Sequence, residues 1–139
     1  MQKTSLKGTI LLYNVKGTSY ERQLKILLVR LGFRMKTIEP DMYKQPLGYL
    51  AGLKEFSATE VQVNSAELFT EPMMVFHGLS NMHLDSLLKE LRKAGIRIPL
   101  KAVLTQHNIL WDSIVLYKEL SEEHEKFKEI EALNETLKK

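Results

Sequence analysis

Two stretches of this chain repeat one pattern, and the pattern leaves few folds open. Each begins with a short apolar run, Thr9 to Val15 (TILLYNV) or Met73 to Phe76 (MMVF). Each then passes a glycine turn, Lys16-Gly17-Thr18 or His77-Gly78-Leu79, into four leucines at helical spacing. Leu24, Leu27, Leu28 and Leu31 fall at i, i+3, i+4 and i+7, and so do Leu84, Leu87, Leu88 and Leu91. That spacing draws one apolar stripe down a helix. Gly32 and Gly95 close the two helices, because glycine accepts the left-handed conformation that helix ends need. An extended segment follows each: Phe33 to Glu39 (FRMKTIE) alternates apolar and polar, and Lys101 to Thr105 (KAVLT) is a short strand-like run.

The details sharpen the expectation. Thr18 and Glu21 have capping-box spacing, which predicts a helix from about Ser19, and Ser80 is the N-cap of the second helix. Gly32 and Gly95 are 63 residues apart, an offset shared by Tyr13/Phe76, Leu24/Leu87 and Leu28/Leu91. A duplication and two unrelated strand–helix–strand units both fit that offset. Between the halves, Gln45 to Leu53 (QPLGYLAGL) reads as a short helix, and Phe56 to Thr70 has no period and reads as a mobile loop. Asn108 is a candidate N-cap for a last helix with no Gly or Pro from Ile109 to Lys139. The expected organisation is one α/β domain over residues 1–120, with halves 8–39 and 72–105 joined by 40–71. Residues 121–139 extend the final helix.

Alternating strands and helices predict a small four-stranded, mostly parallel sheet in the order 2-1-3-4, with helices on both faces and a long C-terminal helix. The alternative is a ferredoxin-like α+β sandwich, whose second and fourth strands run antiparallel to the others.

Composition excludes more function than it suggests. The 139 residues contain no cysteine, which removes disulfides, thiolate metal sites and thiol nucleophiles. The net charge of +3 is small for a nucleic-acid binder, although it is unevenly spread. Residues 1–36 carry eight Lys/Arg against one acid, and residues 37–71 carry two against six. The N-terminal apolar run ends at Asn14, short of a signal peptide, and no run approaches a membrane span, so the expected location is cytoplasmic.

In an open parallel sheet, ligands bind beyond the carboxyl ends of the strands. The anion or ligand candidates are therefore Lys16, Thr18 and Ser19 after the first strand, with Asn14 beside them. His77 and Ser80 follow the third strand, and Thr105, His107 and Asn108 follow the fourth. Neither βα turn has the glycine spacing of a dinucleotide or Walker motif. No carboxylate lies between Tyr13 and Tyr20, Phe76 and Leu84, or Leu104 and Trp111, which removes a response-regulator-type magnesium site. No catalytic residue, metal ligand or cofactor is assigned. His77 reads first as a residue hydrogen-bonded to a loop, and Trp111 as core rather than a stacking platform.

The last segment is the other informative feature. Leu120, Phe127, Ile130 and Leu137 keep one heptad register, interrupted by Glu123 and Asn134. A helix this polar needs a surface for its stripe, which suggests a protein partner or a second copy, with Asn134 fixing register.

Tyr43 to Glu55 (YKQPLGYLAGLKE), the phrase VFHGLS from Val75 to Ser80, and Leu91 to Phe127 together resemble a family of small bacterial, Firmicute-type proteins known only as a domain of unknown function. That family's pattern has Pro-Thr after Leu104-Thr105, where this chain has Gln106-His107, so no role for that turn carries over. The resemblance implies no activity, cofactor or catalytic residue. The leading expectation is a non-catalytic interaction module, self-associating through its last helix. The alternative is a small-ligand or anion-binding domain using the strand-end turns. Nucleic-acid binding through Arg22, Lys25, Arg30, Arg92 and Lys93 ranks last.

Overall fold

The computed structural model describes residues 7–137. The apolar runs become strands: β1 is Thr9–Tyr13, β2 Arg34–Thr37, β3 Met73–His77 and β4 Leu100–Val103. The leucine stripes become α1, Glu21–Arg30, and α3, Asn81–Lys93. A short α2, Leu47–Leu50, lies in the connection between the halves, and α4 runs over Ser113–Leu137.

The sheet order is β2-β1-β3-β4, and helices cover both faces. Strands alternate their side chains between faces, so β1 splits its residues cleanly. Ile10 and Leu12, with Met74 and Phe76 of β3, pack under Leu24, Leu27 and Leu28 of α1 and Leu87 and Leu91 of α3. Leu11 and Tyr13, with Met73 and Val75, pack under Leu47 and Leu50 of α2 and Ile114 and Leu116 of α4.

Each half is parallel, β1 with β2 and β3 with β4, but the two halves meet antiparallel. In the central ladder Thr9 lies opposite His77 and Tyr13 opposite Met73. The sheet is mostly parallel, with two of its three pairings parallel, and the reason for the antiparallel one lies in the connection. A parallel return needs a crossover, usually a helix of some length. Residues 38–72 contain only the four residues of α2 and two single 3-10 turns, at Pro40–Met42 and Ser65–Glu67. The chain leaves β2 and re-enters β3 at the same sheet end.

This connection is pinned at several points. The Gln45 side-chain amide donates to the Thr59 carbonyl at 2.9 Å and accepts the Thr59 N–H at 2.7 Å. Phe69 stacks between Tyr43 and Tyr117, with ring centroids 4.7 and 4.2 Å away. Asn14, in the left-handed region at φ 58°, donates to the carbonyls of Phe69 and Glu71 and accepts from the Tyr43 hydroxyl. Asn is one of the few residues that tolerates that conformation. Gly48 seats α2 on the loop after β4: a Cβ there would lie 2.7 Å from Phe56 and 3.0 Å from Ile109.

The helix ends agree with expectation where glycine decides and differ where a side chain has a choice. Gly32 and Gly95 adopt φ of +90° and +72°, and the following N–H groups of Phe33 and Ile96 donate back to Leu28 and Leu91. The Ser80 hydroxyl accepts the His83 N–H at 3.1 Å, as an N-cap should. The Thr18–Glu21 capping box does not form. The Thr18 hydroxyl donates to the Val15 carbonyl, the Glu21 carboxylate accepts the Gly17 N–H, and α1 starts after Tyr20. Asn108 is likewise not a helix cap. It is buried and braces its own turn, and α4 begins at Ser113, where the Asp112 carboxylate accepts the Val115 N–H.

The repeat at 63 residues holds for the helices but not for the strands, which start 64 apart at Thr9 and Met73. One residue of difference reverses the face. Tyr13 and Phe76 therefore point into opposite cores and are not equivalent.

Candidate functional site

The antiparallel centre divides the expected ligand edge. Lys16, Thr18 and Ser19 follow β1 at one end of the sheet. His77, Ser80, Thr105, His107 and Asn108 lie at the other end, where β3 and β4 finish. Five residues of strand separate the ends by roughly 14 Å, too far for one small anion to span.

The turns also spend their polar groups internally. At the first end the Thr18 hydroxyl is bound to Val15, and the Gly17 N–H is taken by Glu21 at 3.0 Å. A carboxylate thus already sits where an anion would bind. Its pKa is lowered, first by that backbone N–H and then by the Lys25 ammonium 3.0 Å away. Lys16 and Ser19 are exposed.

At the other end Ser80 caps α3, and His77 is half-buried at the end of its strand. Thr105, His107 and Asn108 come together as one turn. The Asn108 side chain accepts the Thr105 N–H at 2.8 Å and donates to the Val103 carbonyl at 3.1 Å. The Thr105 hydroxyl accepts the His107 N–H, and the His107 ring stands edge-on to Trp111 at 5.1 Å. Trp111 itself packs half-buried against the second core. The geometry makes this turn a brace between β4 and α4.

Tyr13 and Ser113 hydrogen-bond at 2.7 Å inside the second core, and burial pushes the Tyr13 phenol well above its usual pKa. Both groups are sealed from solvent, so their chemistry is structural. Among the described residues no group of acids and histidines is arranged to hold a metal ion, and no helix is long and apolar enough to cross a membrane.

Three surfaces remain. The first is the outer part of α4. Ser113, Ile114 and Leu116 are buried and Leu120 packs on the second core, but beyond it the helix leaves the body of the domain. Phe127, Ile130, Leu133 and Leu137 are 60%, 56%, 58% and 74% exposed. Leu133 lies beside the heptad seam rather than in it, one residue before Asn134.

The second surface is a groove of about 650 Å³ where α3 turns into β4, lined by Leu91, Ile96 and Ile98 and by Arg92, Arg97 and Lys101. Its sequence signal was present: no acid occurs from Leu91 to Trp111, while four cations do. A smaller groove of about 420 Å³ runs along α1 past Arg22, Ile26 and Arg30.

Residues 72–127 match the model of a family described as a domain of unknown function (DUF3783). The match takes in the Val75–Ser80 phrase and Leu91–Phe127, and leaves Tyr43–Glu55 outside it. It therefore covers β3, α3, β4 and the first part of α4, the second half of the sheet. No curated protein and no solved structure matches the chain.

Proposed function

We propose that this chain, whose residues 72–127 carry that domain, is a non-catalytic interaction module that pairs with a second copy through α4. The observation that carries the reading is the run of exposed Phe127, Ile130, Leu133 and Leu137 on the outer turns of a helix anchored by its buried first turns. A helix segment this polar gains little from its own backbone and is stabilised mainly by burying such a stripe.

A parallel pairing fits the charges. With Phe127 and Asn134 at one seam position and Ile130 and Leu137 at the other, Lys126 and Glu131 flank the seam five residues apart. In a parallel pair those flanking positions meet across the interface, so opposite charges face each other twice. Asn134 would meet its own copy, a contact that fixes register at some cost in stability. Glu123 would meet itself too, so the seam begins beyond it, at Phe127. Two heptads make a small interface, and the association is expected to depend strongly on concentration.

Sedimentation of the full chain from low to high micromolar concentration tests the reading. The expected result is a monomer–dimer equilibrium that Phe127→Glu abolishes, because the variant buries an unpaired charge in each copy. The melting temperature of the dilute protein should stay unchanged. A wild-type monomer at high micromolar concentration overturns the proposal. So does a Phe127→Glu variant that melts early without any change in mass, which would mean that the stripe folds back on its own sheet.

A further inference from the structure

The groove at the end of α3 combines an apolar floor with charge that nothing nearby neutralises. Leu91, Ile96 and Ile98 belong to the first core and present their outer edges there. Arg92, Arg97 and Lys101 stand around them, no acid lines the groove, and none of the three forms an ion pair among the described residues. The Lys101 ammonium is drawn in and donates to the Ile98 carbonyl. Burial, and then the neighbouring Arg97 charge, lowers its pKa. The Arg97 charge repels the Lys101 ammonium, which has also lost part of its hydration.

We propose that this groove binds a small soluble amphipathic oxyanion, a carboxylate or phosphate head on an apolar stem. The guanidinium forks of Arg92 and Arg97 suit the paired oxygens of such a head, and Lys101 adds a point charge. The stem lies against Leu88, the half-buried apolar residue of the lining, beside Ile96. The volume lies within the range of small-molecule sites, about 300–1,000 Å³. The groove opens on the first face of the sheet, whereas α4 packs on the second, so it functions independently of pairing through α4.

The test is a titration of the full chain, followed by backbone amide shifts, with octanoate, octyl phosphate, octanol and inorganic phosphate, and separately a sedimentation assay with phosphatidylglycerol vesicles. Saturable shifts at Ile96, Arg97, Ile98 and Lys101 are expected with either anionic amphiphile. Octanol and inorganic phosphate should each bind at least about tenfold more weakly, since each lacks one half of the recognition. The exposed double variant Arg92→Gln/Arg97→Gln should keep its melting temperature and lose about tenfold or more in affinity for the amphiphiles. Phe127→Glu should bind like the wild type, which separates this site from the α4 interface. The proposal is overturned if neither amphiphile shifts these residues, or if octanol or phosphate binds as well as they do. It also fails if the double variant is unaffected, or if only anionic vesicles bind and the soluble amphiphiles do not.

Discussion

Leu28 and Leu91 occupy equivalent places on α1 and α3, with 0% and 5% of their surface exposed. Each accepts, through its carbonyl, the N–H that follows the closing glycine, and each drives its side chain into the first core. Truncating either should create a cavity that a sheet packed between two helix layers cannot close. Leu28→Ala and Leu91→Ala are each expected to cost ~2–5 kcal/mol in urea unfolding. A loss under about 0.5 kcal/mol in either would be the size of a surface substitution and would refute that placement. The polar residues of the turns belong to the same scale. Ser80, Thr105 and Asn108 are short polar side chains at strand ends, where such groups can hold a ligand. The same side chains can equally satisfy backbone groups in their own turn. Here they do the latter, and nothing in a list of residues distinguishes the two uses.

At the scale of elements, α4 is two different helices in one. Its first turns close the second core over β3 and β4, and its outer turns bury nothing within the domain. A chain ending at Leu120 keeps Ile114, Leu116 and the Tyr13–Ser113 hydrogen bond, and so every layer of both cores. That truncation is expected to stay folded, with near-wild-type amide protection in all four strands, and to sediment as a monomer at concentrations where the full chain pairs. Loss of the sheet on truncation would show that the outer helix supports the fold. The edge strands tell a related story. β2 carries Arg34 and Lys36 and β4 carries Lys101, charges of the kind that discourage open strands from pairing with other sheets. The apolar surface left for association is thereby confined mainly to helices.

For the whole molecule, the decisive contact is the antiparallel ladder between β1 and β3, which joins two parallel halves into one sheet. Both cores cross it: Ile10 and Leu12 meet Met74 and Phe76 on one face, and Leu11 and Tyr13 meet Met73 and Val75 on the other. A fragment of residues 72–137 contains the whole family match yet would expose the full edge of β3 and half of each core. It is expected not to unfold cooperatively as a monomer, but to be disordered or to pair through β3. A monomeric fragment with a sharp thermal transition would show that the halves are separate folding units.

The sequence by itself determined the elements of this protein: two leucine-striped helices closed by Gly32 and Gly95, the strands before and after them, and the order 2-1-3-4. The elements follow from periodicity and from glycine's backbone freedom, both of which act over a few residues, and the order follows from the handedness of strand–helix–strand crossovers. It also held the groove's signal, a stretch of cations without an acid from Leu91 to Trp111. Tertiary structure decided the rest. Whether the halves met parallel or antiparallel depended on which sheet end residues 38–72 returned to, a matter of chain path rather than local preference. That one choice sent Lys16, Thr18 and Ser19 to one end of the sheet and His77, Ser80, Thr105, His107 and Asn108 to the other. The register of that ladder decided, too, that Tyr13 and Phe76 face opposite cores, because a single residue of register reverses a strand's faces.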